Sequence, residues 1–141
     1  MSQLIVDGKV TTTDDREILT LEEFLVSSDK STGVWLDAHE EVETLSDFIG
    51  KIPVIALNFP TFADGRAYSS ANLLRRHYGF EGELRAIGDV RIDQFEQMAR
   101  CGFNAFELAD GQNAQRAIER MQGFAISYQL TIDRSPLFRQ R

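Results

Sequence analysis

Cysteine is almost absent from this chain. The one residue, Cys101, excludes an internal disulfide and a C-x-x-C redox pair. Two histidines, His39 and His77, are too few to complete a Cys/His zinc site with it. No run of about 18 apolar residues is present, so a membrane-spanning helix is not expected. The first residues show no basic start leading into an apolar stretch, and the expectation is a cytoplasmic protein. Also missing are a G-x-G-x-x-G after a strand, a Walker loop, H-E-x-x-H and G-x-S-x-G. No sequence motif therefore indicates a cofactor. Positive charge is in deficit as well: 15 Lys and Arg stand against 22 Asp and Glu, a net charge of −7. That balance repels phosphate backbones and anionic membrane surfaces, which argues against nucleic-acid or membrane partners.

Large apolar side chains are plentiful. Hydrophobic residues make up 43% of the 141, including ten Phe, three Tyr and one Trp, enough to bury a core. The length fits one α/β domain over 1–141, with a hairpin and helix extension at 1–30 and a loose tail at 133–141.

Gln3–Val10 reads as a small hairpin turning at Asp7-Gly8. A polar loop follows, and Thr20 with Glu23 makes a capping box that opens a short helix carrying Leu21, Phe24 and Leu25. Strand-like and helical segments then alternate. Strands are expected over Val34–Ala38, Ile52–Phe59, Leu84–Gly88, Ala105–Leu108 and Phe124–Leu130. Helices are expected over Val42–Ile49, Arg66–Tyr78, Val90–Cys101 and Asn113–Met121, with Gly102 as a helix C′ glycine. Such alternation predicts βαβ crossovers and a mainly parallel sheet of about five strands. The periodicity leaves open whether the sheet is an open three-layer sandwich or half-barrel-like. A half-barrel would expose an edge that a second copy of the chain covers.

Ligands of parallel α/β folds gather where strands end and loops enter helices. In this chain those places hold Asp37, Asn58, Asp64, Gly65, Arg66, Asp89, Glu107 and Asp110, with His39 just beyond the first of them. Asp64 is placed to cap the following helix. Gly65 permits a tight turn, and Arg66, Tyr68 and Ser69 lie in the first turns, whose free amides favour an anion. Glu83 and Arg85 share one face of a strand by its period of two. Arg85 either pairs with an acid or points into a pocket for an acidic ligand. Asp89 also suits an N-cap. Asp93, Gln94, Arg100 and Cys101 on the next helix complete the set, Cys101 reading mainly as a small core residue. Asp37, Asp89 and Glu107 would hold a divalent cation only if all three converge.

Phe62-Ala-Asp-Gly-Arg-Ala-Tyr-Ser69, Gly82-Glu-Leu-Arg-Ala-Ile-Gly-Asp-Val90 and Asp93-Gln94 with Met98-Ala-Arg-Cys-Gly-Phe-Asn-Ala-Phe106 resemble a bacterial family of unknown function. Its members are often labelled as oxidoreductases of sulfite reduction. The resemblance implies an association with sirohaem sulfite or nitrite reductase. Electron transfer needs a cofactor or paired cysteines, and the sequence displays neither pattern. Two readings follow: an accessory protein of assimilatory sulfite reduction, or a small enzyme or module binding a sulfate-, sulfite- or phosphate-like anion through Arg66 and Arg85. The residues leave open whether the chain catalyses anything.

Overall fold

The computed structural model describes residues 4–6, 9–11, 18–61, 65–108 and 113–123. The Asp7-Gly8 turn, Asp64, Asp110, the strand expected at Phe124–Leu130 and the 133–141 tail lie outside them. The described residues contribute seven strands to one open sheet: β1 (Leu4–Val6), β2 (Lys9–Thr11), β3 (Ile18–Thr20), β4 (Gly33–Leu36), β5 (Val54–Phe59), β6 (Glu83–Gly88) and β7 (Ala105–Glu107). Their order is β2-β1-β7-β6-β5-β4-β3. β3 through β7 run parallel, while β1 pairs antiparallel with both β2 and β7.

Five parallel strands therefore lie side by side in the order they occur along the chain. With right-handed crossovers, that order places every connecting helix on the same face of the sheet. Packing agrees. The core cluster takes alternate strand residues: Val34 and Leu36, Ile55, Leu57 and Phe59, Leu84 and Ala86, and Phe106. The same cluster includes residues from α1 (Leu21–Val26), α2 (Gly65–Asn72), α3 (Phe95–Cys101) and α4 (Ala114–Gly123). Leu4, Val54, Ala56 and Ala105 are buried too, but they belong to the opposite face and lie outside that cluster. Among the described residues the helices form a single layer on an open sheet, and β3–β7 lack the reversal of strand order that a doubly wound form needs.

Local chemistry explains the elements. Thr20 Oγ1 accepts from the Glu23 amide at 3.2 Å and Glu23 Oε1 accepts from the Thr20 amide at 3.0 Å, so the capping box is formed. β5 is buried at five of six positions, as a central strand covered on both sides must be. Phe59 ends it fully buried, edge-on to Tyr68 at 5.0 Å and tilted against Phe103 at 5.7 Å. Burying one such ring contributes about 1.5–3 kcal/mol. The helix after β4 is a 3₁₀ helix over Val42–Phe48. α2 runs into a π-helical segment over Leu73–His77, and a 3₁₀ turn over Ile92–Gln94 leads into α3. Gly102 ends α3 with φ +114, supplying the left-handed conformation of a C′ glycine.

The π segment is held by Arg75. Its Nε donates to the Gly102 carbonyl and its Nη1 to the carbonyls of Phe80 and Gly82, all at 2.9 Å. One guanidinium thus satisfies carbonyls at the end of α3 and in the loop before β6. Arg85 is the buried charged side chain among the described residues, at 3% exposure. Its Nη2 and Nε lie 2.6 and 2.8 Å from Glu83 Oε2, and Glu83 is itself nearly buried. Arg85 stands level with Ala56 and Ala105 on the neighbouring strands, whose small side chains leave room for it.

Gly88 ends β6 with φ +90. A Cβ there would run into Asn58 Oδ1 and the Phe59 carbonyl. Gly88→Ala is expected to destabilise the fold by about 2 kcal/mol or more, adding left-handed strain to displacement of Asn58. Urea unfolding, with the Asn58 side-chain amide signals followed by NMR, checks this.

Candidate functional site

The best-formed polar constellation lies where β4 and β5 end. Asp37 follows β4, and its Oδ1 accepts from Asn58 Nδ2 at 3.0 Å and from the Ala38 amide at 2.8 Å. The Asp37 amide in turn donates to Glu40 Oε1 at 2.8 Å, and the Glu40 amide to the Asp37 carbonyl at 3.0 Å, closing a tight turn. Gly88 on the next strand leaves the space that Asn58 occupies. His39 Nδ1 approaches the other Asp37 oxygen at 3.9 Å. These donors favour the carboxylate, so the Asp37 pKa falls below its ordinary value of 3.8. The Asn58 hydrogen bond is the largest cause, and the Ala38 amide is next. The His39 and Arg66 charges add to them, against a desolvation that opposes.

Beside this turn runs an open groove of about 710 Å³. One wall is the turn after β4, with His39, Glu40 and Glu41; the other is the outer side of α2 and of the π segment that continues it, with Arg66, Ser69 and Leu73. Positions 66, 69, 70 and 73 recur at helical spacing, while Ala67, Ala71 and Leu74 face the core. The first turn of α2, with Gly65, Arg66 and Ser69, opens on the groove. In a singly wound sheet successive loops all leave toward one side, so no crevice opens between loops diverging to opposite faces. The groove is open for that reason.

The structure separates several residues that the sequence grouped. Arg66 belongs to the helix layer. Arg85 sits mid-strand, with Leu84 and Ala86 turned into that layer, so Arg85 points to the opposite face. The two guanidinium groups do not converge, and Arg85 is engaged with Glu83. Tyr68 turns from the groove toward α3: its hydroxyl donates to Gln94 Oε1 at 3.4 Å. Burial, with the nearby Cys101, raises the Tyr68 pKa. Asn72, one turn along, donates to Cys101 Sγ at 3.7 Å. The half-buried Cys101 thiol is pushed up by desolvation, opposed by the Asn72 contact and the Arg76 charge, which disfavours a reactive thiolate.

Asp89 forms an ion pair with Arg91 at 3.0 Å, largely exposed on the Arg91 side. It is not the cap of the next helix, because the 3₁₀ turn starts only at Ile92, after Arg91. Asp93 is exposed. Arg100 pairs with Glu96 at 2.9 Å on the surface of α3. Asp37, Asp89 and Glu107 follow or end β4, β6 and β7; β4 and β7 are three strand spacings apart, about 14 Å. Among the described residues no group of three His, Cys, Asp or Glu could hold a metal ion. Sequence reasoning missed Glu40, Glu41 and Leu73. The signal for Leu73 was its heptad spacing from Arg66, and that for the glutamates was their place directly after a strand end.

Asn58→Ala removes the largest cause of the Asp37 shift. Its carboxyl pKa should rise toward the ordinary range in a ¹³C-detected NMR titration. Because the folded pKa lies below the unfolded one, the carboxylate stabilises the fold above the unfolded value, about 3.9. That contribution is lost as pH falls through the folded pKa. The wild type should therefore lose its stability advantage over the variant as the solution is acidified below about pH 4, and an advantage unchanged by acid would contradict the assignment.

No curated protein and no solved structure matches the chain. A family model matches residues 33–138, from β4 onward, taking in Asp37, Asn58, the groove and the Glu83–Arg85 pair. With three quarters of its length covered, the chain belongs to the bacterial protein family of unknown function DUF934.

Proposed function

We propose that this protein is a cytoplasmic accessory protein of assimilatory sulfite reduction, acting by contact with a sirohaem sulfite or nitrite reductase. The observation that carries this reading over the alternative is the shape of the candidate site. It is an open groove lined by charged and apolar side chains, with Arg66 and Arg85 on opposite sides of the sheet. An enzyme for a small anion needs converging groups in a site that excludes water. A docking protein needs an accessible surface. The link to the reductase comes from the resemblance of the Phe62–Phe106 segments. The second reading, an anion-binding module, retains Gly65, Arg66 and Ser69 at the start of α2 but not Arg85.

The test is co-purification of the full chain with the reductase, and sulfite reduction measured with and without it. Retention of the reductase together with a changed rate is expected. If the reductase is neither retained nor altered, the accessory reading falls. Melting in sulfate, sulfite and phosphate separates the alternative: a rise abolished by Arg66→Ala would favour the anion module.

A further inference from the structure

The groove has walls of different character, and the difference reaches beyond it. Between residues 18 and 61 the chain has eight carboxylates against two lysines, a net of −6, whereas between 65 and 108 six arginines balance six carboxylates. The acid excess thus falls on the half of the molecule that supplies the wall after β4. One of the two lysines, Lys30, is occupied. Its Nζ donates to the Phe24 and Leu25 carbonyls at 2.7 and 3.1 Å and lies over the rings of Phe24 and Phe48. On the groove wall Glu41 is exposed, and no lysine or arginine among the described residues pairs with it. Across from it stands Leu73, 46% exposed, one of only three large apolar side chains so open to solvent among the described residues. Arg66, the cation of this groove, contributes to the field that lowers the pKa of Asp37, beside the strand ends.

We infer that this groove docks a segment of a partner protein that carries lysine or arginine beside an apolar side chain. The apolar side chain seats against Leu73, and the basic group faces Glu41 within the acidic half of the surface. The inference rests on the accessory reading and specifies where that contact is made. An apolar anchor removed from water supplies most of the affinity of such a contact, whereas the flanking charges set its approach and its dependence on salt. A second copy of this chain fits less well, since its own surface is acid-rich in the same region.

Binding of the reductase to the full chain is measured at low and moderate salt, for the wild type, Leu73→Glu, Glu41→Lys and, as a control on the α3 side, Asp93→Lys. Leu73 is exposed, so a glutamate there should leave the melting temperature nearly unchanged. Leu73→Glu should weaken the Kd by about tenfold or more. Glu41→Lys should weaken it several-fold, chiefly through a slower on-rate, and flatten the salt dependence. Asp93→Lys should bind like the wild type. Equal binding by all four proteins would place the contact elsewhere and overturn this inference while leaving the accessory reading standing. Failure of the wild type to bind would end both. A sedimentation mass that falls from dimer to monomer with Leu73→Glu would assign the groove to a second copy and overturn the inference as well.

Discussion

Strands laid down in chain order, each joined to the next by a right-handed crossover, can carry their helices on one face only. Nearly everything distinctive about this molecule follows from that constraint. The helix side is filled by a continuous apolar cluster running from Leu21 and Phe24 of α1 to Ala117 of α4. The other side holds a buried ion pair, Arg85 with Glu83, between the small side chains of Ala56 and Ala105. The polar cluster around Asp37 accordingly borders an open groove instead of a cleft between helix layers. Topology decides the character of the site before any side chain is chosen.

Local chemistry was readable where it is self-contained. The Thr20–Glu23 capping box needs only its own four residues, and the structure forms it. The apolar run ending at Phe59 could only be a central strand, and Gly102 sits where a helix must stop. β3 was hidden because Ile18-Leu19-Thr20 is three residues long and shares Thr20 with the cap of α1. The 3₁₀ helix at Val42–Phe48 and the π segment at Leu73–His77 carry an ordinary helical pattern of apolar residues. Their hydrogen bonding is fixed by what they pack on, and for the π segment by Arg75 reaching backbone carbonyls of two other segments.

The site was legible in part for the same reason. The rule that strand ends gather ligands picked out Asp37, Asn58 and Arg66, each a neighbour of a strand it follows or ends. Arg85 entered by a different rule, the alternation of side chains along a strand, and the structure places it away from the strand ends, in the middle of β6. The period of two put Glu83 and Arg85 on one face of β6, but which face depends on how β6 sits between β5 and β7. That is a property of pairings 20 or more residues away. Glu41 and Leu73 acquire meaning only when the turn after β4 and α2 are brought side by side, and no window along the chain contains both.

The sheet order also bears on how the chain reaches its native state. From β3 to β7 each strand pairs with the one just before it, so the growing sheet can extend by one unit at a time with modest loop-closure entropy. β1 breaks this pattern: Ile5 sits opposite Phe106, about a hundred residues later, and closes the largest loop among the described pairings. Docking of the first strand onto β7 is thus the entropically most demanding contact of the sheet. A chain emerging N-terminus first must leave Leu4 and Ile5 waiting for β7 until Phe106 has been made.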